Sequence, residues 1–217
     1  TFKQVFEDVH KGVSDYGVVA IENSIYGSFL DNYDYLLKYD TRIVGEEYLR
    51  IVLNLIALPN TKIENITEVY THPMAMNQAE EWLEKHPKMQ RIESDDTAAA
   101  VRLIKEDDMH TAAAIGSVLA AEIYSMKVLA KDIETEKKNY TRFLIIARPD
   151  TPYDLDADQT SLVIRAKNIP GALFHVLKCF NDAGINLSKI ESRPIISNRA
   201  WDYYFYLDFE KGLNTPA

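Results

Sequence analysis

Cysteine is all but missing: Cys179 is the only one in 217 residues. No disulfide can form within the chain, and the composition fits a reducing, cytoplasmic setting. Long apolar runs are missing as well. No segment approaches the roughly 18 uninterrupted apolar residues of a membrane span, and no charged-then-apolar signal segment opens the sequence, so no membrane is expected. The histidines His10, His72, His86, His110 and His175 are scattered without paired metal-ligand spacing, and no metal is expected. Net positive charge is lacking too. A formal charge of -9 argues against nucleic acid as a general partner, although a local basic cluster can still hold an anionic metabolite. What remains is an ordinary globular composition, 47% hydrophobic and 26% charged, long enough for one large domain or two small ones.

Apolar runs alternate with amphipathic segments, the pattern of βα units and a helix-covered sheet. Tyr16 to Ile21 reads as a buried strand with Glu22-Asn23-Ser24 at its carboxyl end. Glu68-Val69-Tyr70 runs into Thr71-His72-Pro73, where proline suits the first turn of a helix carrying Ala75, Ala79 and Trp82. Arg91-Ile92 leads to Ser94-Asp95-Asp96-Thr97, a strong cap for a helix from Ala98 to Lys105. Ala112 to Ile115 leads to Gly116-Ser117 and a helix from Val118 to Tyr124. The strand-to-helix turns thus carry small hydroxyl or amide residues. Each alone reads as a helix cap; together they suit an anion cleft at the carboxyl ends of strands. His72, before a proline at a helix start, reads as structural.

Between Arg148 and Asp158 the chain is acidic, holds two prolines and loses periodicity, which marks a linker. Beyond it, Thr160 to Ala166 is strand-like, and Gly171 to Ala183 is helical with Leu173, Val176, Leu177 and Phe180 on one face. Gly184 ends that helix, and Ile185 to Ile190 and Tyr203 to Phe209 are strand-like. This βαββ order suggests a small ferredoxin-like module that stops short of its last helix and strand. Cys179 lies on or beside the apolar helix face and reads as packing.

Asn139-Tyr140-Thr141-Arg142-Phe143 sets a hydroxyl, a permanent cation and an aromatic ring side by side at the entry to the apolar run Leu144 to Ala147. Such a grouping suits a site that holds a carboxylate and acts on a nearby hydroxyl. In a regular strand, however, alternation places Thr141 and Phe143 on one face and Arg142 on the other.

These segments together resemble the prephenate dehydratase family followed by an ACT regulatory domain. The resemblance rests on Tyr16 to Ser24, Gly27-Ser28, Thr71-His72-Pro73 with Gln78, Asp96-Thr97-Ala98-Ala99-Ala100, Ala113 to Ser117 and Asn139 to Phe143. Gly171-Ala172-Leu173-Phe174 and Glu191-Ser192-Arg193-Pro194 resemble the two effector motifs of the family's ACT domain. It implies an α/β fold, with a two-lobed catalytic domain like type II periplasmic binding proteins over 1–148, its second lobe at about 59–131 and its site in the cleft between lobes. A linker at 149–159 and a ferredoxin-like (βαββαβ) ACT domain at 160–217 would follow. The family's opening glycine-rich segment does not precede Thr1, so both domains are expected to be truncated.

By resemblance, the reaction removes water and carbon dioxide from prephenate to give phenylpyruvate, without a cofactor. Thr141 addresses the leaving hydroxyl, as donor and orienter more than as sole acid, and Glu22 is a second candidate acid. Arg142 is expected on the pyruvyl carboxylate, because gripping the carboxylate that leaves would stabilise the ground state. Phe143, Asn23, Ser24, Thr71, Gln78, Thr97 and Ser117 would supply the remaining substrate contacts. Gly171, Ala172, Leu173, Asn186, Leu187, Glu191, Ser192, Arg193 and Pro194 would bind the effector L-phenylalanine, in a homodimer or homotetramer. Arogenate dehydratase, prephenate decarboxylase and a non-catalytic sensor on the same fold are the alternatives.

Overall fold

Ala112-Ala113-Ala114-Ile115 forms, in the computed structural model, a strand buried along its whole length, and its small side chains let layers close on both sides of it. The structure describes residues 1–152, 154–195 and 202–212. Tyr153 of the expected linker and residues 196–201 and 213–217 of the expected ACT domain lie outside that description.

The first half of the chain runs α1 (Phe2–His10), β1 (Tyr16–Asn23), β2 (Gly27–Ser28), α2 (Leu30–Lys38), β3 (Arg42–Arg50), β4 (Asn54–Ala57), β5 (Glu68–Thr71), α3 (Pro73–Gln78), α4 (Glu80–Glu84) and β6 (Gln90–Glu93). There follow α5 (Thr97–Glu106), β7 (Ala112–Gly116), α6 (Val118–Ile123), β8 (Lys127–Ala130), β9 (Tyr140–Ala147), β10 (Thr160–Arg165), α7 (Ala172–Asp182), β11 (Leu187–Pro194) and β12 (Tyr203–Phe209). They form two compact units, one of Leu49–Thr141 and one of Thr1–Tyr48 with Arg142–Ala217.

The Leu49–Thr141 unit is a five-stranded sheet in the order β6-β5-β7-β4-β8, in which β5 runs parallel to β6 and β7 while β4 runs antiparallel to β7 and β8. Strand alternation sorts its apolar residues into two cores. Ile56, Ala112 and Ala114 pack with Ala100, Val101 and Ile104 of α5 on one face. Leu55, Ala57, Ala113 and Ile115 pack with Ala75, Ala79 and Leu83 on the other. The helix expected after Pro73 breaks at Ala79 (φ -101, ψ 13) into α3 and α4.

The other unit holds two sheets, β2-β1-β9-β3 and the antiparallel β10-β12-β11. Helix α1 closes on β1 at Gly17, where a Cβ would stand 2.6 Å from Val5 Cγ1. The core of the first sheet, with Phe6, Val9, Val19, Ile21, Tyr33, Leu144 and Ile146, also takes in Tyr206 from β12. Tyr206 meets Tyr33 edge to face at 4.9 Å and donates a 2.8 Å hydrogen bond to its carbonyl. Helix α7 covers the opposite face of β10-β12-β11, where Phe180 and Phe209 rings lie 5.3 Å apart.

Strand β11 is longer than the sequence suggested and carries Glu191 to Pro194 inside it. Its register shifts between Leu187, opposite Phe209, and Lys189, opposite Asp208. This bulge re-aims the strand: Leu187 shares the α7 face with Phe209, whereas Lys189, Glu191 and Arg193 share the other face with Asp208, Tyr206 and Tyr204.

Candidate active site

Strand β9 keeps the regular alternation. Thr141 is only 7% exposed, and the boundary between the two compact units falls between it and Arg142. Arg142 and Leu144, on the opposite face from Thr141 and Phe143, line a cavity of about 590 Å³ whose walls come entirely from the unit containing β1 and β12. In that cavity Arg142 Nε donates to Glu46 at 2.7 Å and its Nη1 to Asp208 at 2.6 Å. All three side chains are largely buried. Burial works against the guanidinium charge, but the hydrogen bonds and charges of Asp208 and Glu46 outweigh it, and the proton is held above arginine's ordinary value. Arg142 was expected on a substrate carboxylate; its guanidinium here meets two carboxylates of the protein, on the face of β9 away from Thr141.

Strand β1 delivers Glu22 and Asn23 to a tight hairpin. Asn23, 3% exposed, accepts hydrogen bonds from the N–H groups of Ile25 and Tyr26, both at 3.0 Å, an Asx turn that shapes the bend. Glu22 pairs across the hairpin with Ser28 and holds Lys189 Nζ at 2.8 Å. Ser24 is exposed at the hairpin tip.

In the Leu49–Thr141 unit several candidate groups serve local structure. Thr71 is fully buried and its hydroxyl donates to the Ile115 carbonyl at 2.8 Å, joining β5 to β7. Ser117 caps α6 by accepting from Ala120 N–H at 3.1 Å, and Asp96 caps α5 from Ala99 N–H at 2.6 Å. Thr97 opens α5 and Gln78 closes α3, both half-buried. His72 caps α3, its Nδ1 accepting from Met74 N–H at 3.1 Å, in line with its structural reading.

The effector candidates divide by face. Gly171 takes the left-handed conformation (φ +81) that starts α7, with Ala172 and Leu173 in the first turn. Asn186 is exposed just before β11, and Leu187 turns toward α7. Glu191 and Arg193 face the first sheet, where Glu191 accepts from Ser28 Oγ at 2.6 Å and Arg193 grips Asp34 through Nε and Nη2 at 3.1 and 2.6 Å. Ser192 and Pro194 fall on the other side of the strand. Cys179 is exposed, with its thiol directed to the His175 carbonyl at 3.3 Å, and does not pack as expected.

Sequence reasoning missed Glu46, Asp208, Ser28, Asp34 and Lys189. For β11 a signal was present: charges at 189, 191 and 193 alternate with uncharged residues, which marks one polar face of a strand. For Glu46 and Asp208 no local pattern points to a shared guanidinium. Among the described residues no cluster of His, Cys, Asp and Glu has metal-binding geometry, and no helix is long and apolar enough to cross a membrane.

A family model described as prephenate dehydratase matches residues 1–151, and an ACT domain model matches 160–216. A bifunctional chorismate mutase/prephenate dehydratase of Aquifex aeolicus is 42% identical over 97% of this chain, which spans 57% of that relative's length. Among solved structures, a prephenate dehydratase from Arthrobacter aurescens in complex with L-Phe shares 33% identity with a TM-score of 0.83, over 96% of this chain and 69% of that one. A protein described as GqqA, a novel type of quorum quenching acylase, shares 30% identity with a TM-score of 0.88, over 100% and 78%. With both models matched in order along its length, the chain belongs to the prephenate dehydratase family and carries the ACT domain at its C-terminal side.

Proposed function

We propose that the chain converts prephenate to phenylpyruvate and is restrained by L-phenylalanine through the ACT domain. The observation that carries this reading is the succession of a dehydratase match over 1–151 and an ACT match over 160–216 in one chain. The L-Phe complex of the Arthrobacter relative supports the effector.

In the reaction the ring C–O bond breaks, the electrons of the ring-to-carboxylate bond enter the ring, and carbon dioxide departs as the ring becomes aromatic. The hydroxide equivalent takes up one proton and leaves as water. Thr141, buried at its strand, is assigned as hydrogen-bond donor to that hydroxyl, with the proton drawn from water, and Glu22, whose carboxylate Lys189 holds at ion-pair distance, is assigned to ordering the loops around it. Asn23, Ser24, Phe143, Gln78 and Thr97 are assigned as substrate contacts, while Thr71 and Ser117, whose hydroxyls are bonded to backbone, are assigned to holding the turns that carry such contacts. Arg142 acts by holding β9 to Glu46 and Asp208 and so fixes the frame of Thr141. We place the protein in the cytoplasm, a reading supported by its single unpaired cysteine. A homodimer or homotetramer is supported by the exposed Ile169, Phe174 and Ile190 of the ACT domain.

The test is phenylpyruvate formation by the purified chain, with prephenate and arogenate supplied side by side and hydrolysis of an acyl amide measured in parallel. Prephenate should be consumed fastest, and Thr141→Ala should lower kcat by about 100-fold or more with KM within about 3-fold. A folded chain that turns over the acyl amide but neither cyclohexadienyl acid sinks the reading.

A further inference from the structure

The ACT strand β11 reaches the hairpin that carries Glu22 through a chain of charged contacts. Lys189 is a long cation whose side chain is only 9% exposed. Its Nζ donates to Glu22 at 2.8 Å and to Ser28 Oγ at 3.0 Å, and lies 5.6 Å above the Tyr33 ring. Ser28 in turn donates to Glu191 at 2.6 Å. Its hydroxyl therefore accepts from one β11 residue while donating to another, so that neither contact can rearrange without disturbing its neighbour. Two strand positions further on, Arg193 clasps Asp34 of α2 with two hydrogen bonds.

The alternation of β11 makes this a directed arrangement. Lys189, Glu191 and Arg193 stand on one face because the bulge between Leu187 and Lys189 turns that face toward β1, β2 and α2. A buried ammonium needs a partner to offset its lost hydration, and Glu22 is the carboxylate it meets at ion-pair distance.

We propose that Lys189 is a positioning residue: it holds the Glu22 carboxylate and the β1–β2 hairpin, and through Ser28 and Glu191 makes the effector strand and that hairpin change state together. The proposal deepens the function above and rests on it for the roles of Glu22 and L-phenylalanine, while the latch itself is a property of the chain alone. A ligand that repositions Glu191 draws Ser28 with it, and the Lys189–Glu22 contact follows. By reciprocity, occupancy at Glu22 is felt at the effector strand.

The experiment follows amide hydrogen exchange across the full chain in the wild type, Lys189→Met, Lys189→Arg and Ser28→Ala. Lys189→Met should speed exchange in segment 22–29 by about 10-fold, with α5 and β7 unchanged as an internal check on folding. Lys189→Arg should restore protection to within about 2-fold, because charge and reach are kept, and Ser28→Ala should fall between. L-phenylalanine should slow exchange in segment 22–29 of the wild type and lose that effect in Lys189→Met, while calorimetric affinity for L-phenylalanine changes by no more than about 3-fold. In turnover, Lys189→Met should lower kcat more than it raises KM. Wild-type exchange at 22–29 in both Lys189→Met and Ser28→Ala overturns the latch. A wild type that binds no L-phenylalanine, or forms no phenylpyruvate, overturns the functional reading instead, and the exchange contrast still decides the latch.

Discussion

The two compact units handle their polar groups differently. In the Leu49–Thr141 unit hydroxyls and carboxylates mostly satisfy backbone close at hand: Asp96 caps Ala99, Ser117 caps Ala120, and Thr71 bonds across one strand pair. In the other unit side chains meet side chains from far along the sequence, Ser28 with Glu191, Asp34 with Arg193 and Arg142 with Asp208. A cap forms whenever its helix forms. A pairing such as Arg142–Asp208 forms only while the ACT sheet is seated on the first sheet. The difference teaches that both units rest on buried apolar cores, but that polar groups in one are satisfied locally while in the other they tie together elements far apart in sequence.

The largest test of that contrast is Ile115→Ala. This fully buried residue in the middle of β7 should cost about 2 to 5 kcal/mol of unfolding free energy in urea, with little dependence on salt. Arg142→Met comes next. It leaves Glu46 and Asp208 near each other without their shared cation, for a loss of about 2 to 4 kcal/mol at pH 7. A loss below about 1 kcal/mol in urea unfolding would count against the shared-cation role.

Alkaline titration probes the seam between the two sheets. Burial, with the charges of Asp208 and Glu22 adding for Tyr33 and that of Asp34 for Tyr206, pushes both phenols above the ordinary tyrosine value. Below about pH 10 folded and unfolded phenols are both neutral, and the stabilisation is fully present. As pH rises further, only the unfolded chain ionises at these positions, so stability should fall. In absorbance these two of the 13 tyrosines should titrate only with unfolding. The smallest effect belongs to Ser117→Ala, about 1 kcal/mol by thermal unfolding, insensitive to ionic strength as a local cap should be.

The elements with strong periodicity were legible in sequence. Strand Tyr203–Phe209 and the apolar run of β7 stand where their patterns put them, and Asp96 and Ser117 cap the helices they were expected to cap. The ACT helix has Leu173, Val176, Leu177 and Phe180 half-buried along one side. The break at Ala79 was not legible, because alanine carries no local signal for leaving a helix. Among the candidate site residues, alternation spoke for Thr141 and Arg142 facing opposite ways, whereas the resemblance put both on the substrate. The identity of Arg142's partners was out of reach, since Glu46 and Asp208 come together only through the tertiary fold. The end of β11 was misjudged because Glu191 to Pro194 has the charge of a loop, and its pairing with Tyr203 to Tyr206 settles it as strand.

The bulge in β11 gives the ACT domain a parity. One extra residue between Leu187 and Lys189 divides the strand into two phases, so that whether a position is read by the helix side or by the hairpin side depends on which side of the bulge it is counted from. Closing the bulge with every residue kept would leave composition and length untouched, yet would exchange Lys189, Glu191 and Arg193 with their neighbours. The message carried to Glu22 is thus written as much in the count of residues as in their chemistry.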